Sequence, residues 1–169
     1  MPVRQDLDVP YYHLRLLVVS VVFLISILFP VFSQASKTDV SLLATTIYHE
    51  ARGENIQGKF AVAMVAINRT ENPKYPNTIT GVITQPNQFS WYKGRKRNKI
   101  YDKREYLVCQ NIAKTVISMR KSEAFREFVG QMGVSDVKYF HKRGLKKKPK
   151  WAYYKGSPIV IGKHVFYKG

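Results

Sequence analysis

Tyr48-His49-Glu50-Ala51-Arg52-Gly53-Glu54 sets a carboxylate where the surrounding periodicity asks for an apolar side chain. Ile47 lies three residues before Glu50 and Leu43 seven before it, and both spacings fall on one face of an α-helix. Glu50 is therefore expected to point inward. An ionised acid on an apolar face is costly, so burial raises its pKa above that of a free glutamic acid. A proton held in this way is available for donation to an acetal oxygen such as that of a glycosidic bond. The residues alone leave a second reading open, in which Glu50 is a structural acid paired with Arg52 or Arg69.

His49-Glu50 also begins like the HExxH zinc helix, but Gly53 stands four residues after His49 and offers no ligand. His13, His141 and His164 are far from it in sequence, and Cys109 is the single cysteine. Neither a metal site nor any other cofactor is expected, and no internal disulfide can form.

Upstream, residues 16–36 carry no charge, with Arg15 before them and Lys37 after, and residues 16–29 are almost wholly aliphatic or aromatic. An apolar N-terminal helix is expected there. Residues 1–36 read as a signal peptide or a membrane anchor: Ser33 and Ala35 suit signal-peptidase cleavage, while residues 16–32 suit a retained anchor. Residues 37–169 then form one domain, and the expected location is the periplasm, the cell wall or the outer face of the cytoplasmic membrane.

The composition, 45% hydrophobic and 13% aromatic, is that of a folded protein rather than a disordered one. Lys and Arg exceed Asp and Glu by 28 to 11, a net charge of +17, which calls for a polyanionic partner. Arg4 and Arg15 balance Asp6 and Asp8, so the whole excess belongs to the downstream domain. For an exported domain that partner is the anionic envelope, not nucleic acid.

The spacing predicts a helix from a cap at Thr38, Asp39 or Ser41 to Ala51, stopped by Gly53. A second helix runs from Asn55 to Arg69, apolar nearly all round and therefore central. A short helix is expected over Thr78–Thr84, a long one over Asp102–Met119 with Cys109 as a core residue, and another short one over Lys121–Phe128. Val137–His141, Ile159–Ile161 and His164–Tyr167 read as short strands. The fold class is thus α+β, mainly helical, with a small C-terminal β element.

Between these elements, Gln88-Phe89-Ser90-Trp91 combines an amide, a hydroxyl and two aromatic rings, a set that stacks on sugar faces and binds their hydroxyl and acetamido groups. Phe89 and Trp91 would serve equally as core side chains. Tyr139, His141 and His164 either line the same site or are half-buried strand residues. The basic tip Lys93–Lys99 reads as solvated, and Arg143–Lys150 as a contact for an anionic surface.

Taken together, Leu42-Leu43-Ala44, Glu50-Ala51-Arg52-Gly53-Glu54, Asn68-Arg69, Tyr75-Pro76-Asn77-Thr78-Ile79, Gln88-Phe89-Ser90-Trp91 and Ile161-Gly162-Lys163-His164-Val165-Phe166-Tyr167 resemble the SleB and CwlJ type cell wall hydrolases. The resemblance covers about 42–167. It implies a lysozyme-like single domain that cleaves peptidoglycan glycan strands, by lytic transglycosylation or as a muramidase, with Glu50 as acid and then base. It leaves Arg52, Glu54 and His164 as structural support and Gln88, Phe89, Ser90, Trp91, Tyr139 and His141 as substrate contacts. The expected enzyme is a monomer. Its rival is a non-catalytic, basic module that holds anionic wall polymer.

Overall fold

The computed structural model describes residues 36–93 and 99–169. The expected leader or anchor, including residues 16–32, lies outside the described residues, as does most of the basic tip. Among the described residues no helix is long and apolar enough to cross a membrane.

Each helix begins where a small polar side chain can take an otherwise unbonded amide. Helix α1 (Lys37–Ala51) is capped by Ser36, whose hydroxyl accepts from Thr38 N. The cap is thus two residues or more ahead of the expected Thr38, Asp39 or Ser41. Asp39 is used across space instead: its Oδ1 accepts from the amide and hydroxyl of Thr80, at 3.2 and 2.8 Å, tying α1 to a later helix. Gly53, at φ +82°, turns the chain out of α1 through a left-handed conformation that favours glycine.

Asn55 caps helix α2 (Ile56–Thr70), Thr78 caps α3 (Ile79–Thr84), Asp102 caps α4 (Lys103–Met119) and Ser122 caps α5 (Glu123–Gln131). Helix α2 is buried along nearly its whole length, as its unbroken apolar run requires, and α1, α3 and α4 pack around it. Helix α4 is amphipathic and buries Cys109, Ala113, Val116 and Ile117. Burial, reinforced by Glu105, pushes the Cys109 thiol up to about 12, so this is a core residue and not a nucleophile.

The remaining layer is a three-stranded antiparallel sheet of β1 (Val137–Lys142), β2 (Ile159–Ile161) and β3 (His164–Lys168), in the order β1-β3-β2. The chain is therefore mainly helical with a small sheet. The end of α2 is bonded into that sheet: Asn68 Nδ2 donates to the carbonyls of Val134 and Val137 at 2.9 and 2.8 Å. Arg69 Nε donates at 2.9 Å to the carbonyl of Lys138, where the β1–β3 register slips. These bonds fix β1 to the end of α2, and β1 shares a groove with Glu50 at the end of α1.

Candidate active site

Glu50 stands on the last turn of α1, half-buried, on the same side as buried Leu43 and Ile47. Burial raises its pKa by withdrawing water from the carboxylate, and the nearby Lys142 ammonium partly opposes this. Among the described residues its carboxyl has no ion-pair partner. Both arginines considered as partners are engaged elsewhere. Arg52 is exposed, with its guanidinium 5.8 Å over the Tyr48 ring. Arg69 is buried, bonded to Lys138 O and, through Nη1 at 3.0 Å, to Gln88 Oε1.

A cavity of about 660 Å³ opens beside Glu50. The structure brings Glu50, Gln88, Phe89, Ser90, Tyr139, His141 and His164 together on its walls. Residues from both faces of β1 reach it because β1 is an edge strand. Trp91, in contrast, is 4% exposed and does not line it. Its ring stacks on His49, with centroids 5.6 Å apart and planes 18° from parallel. The expectation that Trp91 binds sugar is corrected: the short 3₁₀ turn Ser90–Lys93 turns its indole inward while Ser90 stays at the cavity.

The aromatic wall that Trp91 does not provide comes from Trp151, which sequence reasoning passed over. Its ring packs 5.4 Å from Tyr139, 5.9 Å from His141 and 5.4 Å from Tyr167. Tyr139 is held in turn by a 2.9 Å bond from the Tyr75 hydroxyl. Arg69 underlies this wall, 5.3, 5.8 and 5.9 Å from the rings of Tyr75, Phe89 and Tyr139. An arginine closing an apolar helix was the available signal for Arg69. For Trp151, the cluster of aromatic residues that it opens with Tyr153 and Tyr154 at the end of a Lys-rich run was the only one.

Glu54 is buried and committed. One carboxylate oxygen accepts from Lys163 N at 3.0 Å, and the other lies 3.3 Å from His164 Nδ1. His164 also lines the cavity, and burial holds its pKa below the usual histidine range although Glu54 pulls the other way. His141 is oriented by Lys142 O on Nδ1 and by the Tyr167 hydroxyl on Nε2, at 2.7 and 3.2 Å. Among the described residues no group of three or more metal-ligating side chains converges.

Comparison with known proteins places these residues in context. A family model described as Cell Wall Hydrolase matches residues 53–167, starting just past Glu50. The spore cortex-lytic enzyme of Bacillus subtilis is 31% identical over 138 residues, which are 78% of this chain and 38% of that protein. That of Oceanobacillus iheyensis is 44% identical over 55 residues, 32% of this chain and 20% of its own. The chain thus spans less than half the length of these relatives. The catalytic domain of the germination-specific lytic transglycosylase SleB from Bacillus anthracis has a similar structure, with a TM-score of 0.58 at 26% identity. The match covers 83% of this chain and 100% of that one. The Bacillus cereus SleB catalytic domain gives 0.55 at 26% identity, over 79% and 91%.

Proposed function

The chain belongs to the cell wall hydrolase family, and on that premise we propose that it cleaves the glycan strands of peptidoglycan with Glu50 as the acid and base. The observation that carries the reading is a half-buried carboxyl of raised pKa, without an ion-pair partner among the described residues, at the mouth of a cavity walled by Trp151, Tyr139 and Gln88.

In the proposed reaction the protonated Glu50 donates to the glycosidic oxygen as the bond to the anomeric carbon breaks. The carboxylate then takes the proton from the C6 hydroxyl of the same sugar as that oxygen closes on the anomeric carbon. The products are a free hydroxyl on one fragment and a 1,6-anhydro end on the other, and Glu50 is protonated again. This route needs one carboxyl group. Inverting hydrolysis needs a second one to activate water, and Glu54, the nearest acid along the chain, is occupied by Lys163 and His164. Gln88 and Ser90 bind hydroxyl and acetamido groups, Tyr139 and His141 bound the cleft, and Arg52, Glu54 and His164 hold its frame.

The finer features belong to the same reading. Residues 1–36 export or tether a lysozyme-like, monomeric catalytic domain over 37–169, and its cationic surface keeps it at the anionic envelope. The test is Glu50→Gln. This variant is expected to bind purified sacculi and to lose cleavage by at least about a hundredfold, with muropeptide mass spectrometry of the parent showing anhydro ends. Full release of muropeptides by Glu50→Gln would end the proposal.

A further inference from the structure

A second hollow, of about 560 Å³, lies on the other side of Glu50 and shares Glu50, Lys142 and His164 with the first. The two therefore meet at the acid, so that a strand occupying both would pass it. Their chemistry differs. Tyr139, Trp151 and Phe89 wall the first, whereas the second has no aromatic side chain other than its histidines and is lined by Arg52, Lys142, Arg143 and Lys163. All four cations are exposed, and among the described residues none of them forms an ion pair. The acids at its edge do not neutralise it: Glu54 is taken by Lys163 N and His164, and Glu50 faces both hollows.

A row of exposed cations without ion-pair partners among the described residues, beside an aromatic wall, matches a saccharide bearing acidic substituents. We propose that this hollow binds a carboxylate of the peptide stem carried by the sugar next to the scissile bond, so that strands with free stem carboxylates are preferred over strands in which they are amidated. The inference rests on the strand-cleaving reading, since that reading supplies the strand. Continuity with Glu50 favours a group on the substrate itself over a separate anionic polymer. A guanidinium and an ammonium would each give a charge-assisted hydrogen bond to the carboxylate.

The test separates the two ideas by measuring binding without cleavage. Fluorescently labelled peptidoglycan tetrasaccharides, with stem carboxylates either free or amidated, are titrated into the full chain carrying Glu50→Gln, and anisotropy is read. The free form is expected to bind about tenfold more tightly. Adding Arg143→Gln and Lys163→Gln should bring that ratio toward one. Both side chains are exposed; the Lys163 ammonium has one long bond, to Gly53 O at 3.4 Å, while the bonds from Arg143 N to Lys163 O and from Lys163 N to Glu54 use backbone amides that the substitutions keep. Adding Lys121→Gln and Arg126→Gln instead removes the same charge beside a different hollow and should leave the ratio in place. A ratio near one before these changes, or an equal fall in both double variants, overturns the proposal. Intact strands after exposure to the parent chain count against the strand-cleaving reading, independently of the ratio.

Discussion

Glu54 and His164 meet with 3.3 Å between Oε1 and Nδ1, both side chains almost wholly buried, and so join the turn after α1 to the first residue of β3. The second Glu54 oxygen bonds Lys163 N, and the Glu54 carbonyl receives the buried Lys59 ammonium. One residue thereby fixes the sheet to the end of the helix that carries the acid. Glu54→Ala removes the acceptor of the Lys163 amide and strands the buried His164 ring away from water, and is expected to cost about 3 kcal/mol. Urea denaturation at neutral pH measures this, and a loss below about 1 kcal/mol would show the link to be dispensable.

The depressed pKa of His164 gives stability a definite pH dependence. The unfolded chain takes up a proton near pH ~6.5, whereas the folded protein resists it to a lower pH. Between those values the unfolded state binds more protons, so stability is complete above about pH 6.5 and declines as pH falls toward the folded value. His49 is displaced in the same direction, chiefly by burial, and adds to the effect. Denaturation midpoints across pH 5 to 8 should decline on the acid side, and a His164→Gln variant should flatten the slope.

Glu50 behaves in the opposite sense. Its folded pKa is raised, so as pH climbs past the ordinary carboxylate value of roughly 4.3 the unfolded state ionises first and the folded state loses ground. Glu50→Gln is therefore expected to be more stable than the parent at pH 7, with the gain gone below about pH 4. Thermal midpoints of both proteins at the two pH values decide it. A variant no more stable at pH 7 would mean that burial does not disfavour the carboxylate.

The two tryptophans should respond differently. Trp151→Ala removes the cavity's aromatic wall and is expected to raise KM by about tenfold while leaving the fold in place. Trp91→Phe keeps the ring against His49 and deletes an indole N–H that is buried without a partner, so activity should hold and stability should not fall. Kinetics on solubilised strands and a melting curve for each variant test the contrast.

Arg69 is set apart by geometry rather than charge, because its planar donor group reaches Lys138 O and Gln88 Oε1 together. Lysine cannot span both, so Arg69→Lys is expected to cost about 2 to 3 kcal/mol and to loosen Gln88 and Tyr139 at the cavity. Chemical denaturation gives the first quantity, and a raised KM against kcat reports the second.

Much of the fold was legible because its signals are local. The apolar spacing through Leu43 and Ile47, the caps at Asn55, Thr78 and Asp102, and the β-branched run Ile159–Ile161 each depend on residues a few positions apart. The inward-facing position of Glu50 was legible for the same reason. The partners of the cavity were not, since Tyr75 with Tyr139 and Arg69 with Gln88 are joined only by the way α2 meets β1. Trp91 and Trp151 illustrate the limit. Their chemistry is identical, and only the direction in which a short turn faces decides which ring enters the core.

The order of the sheet carries a consequence for biosynthesis. The strand that comes last of the three along the chain, β3, is the one in the middle, and it brings His164 to the walls around Glu50. A nascent chain that has already displayed α1 still lacks this centrepiece. The wall around Glu50 is thus complete only once the final strand has taken its place between its two neighbours.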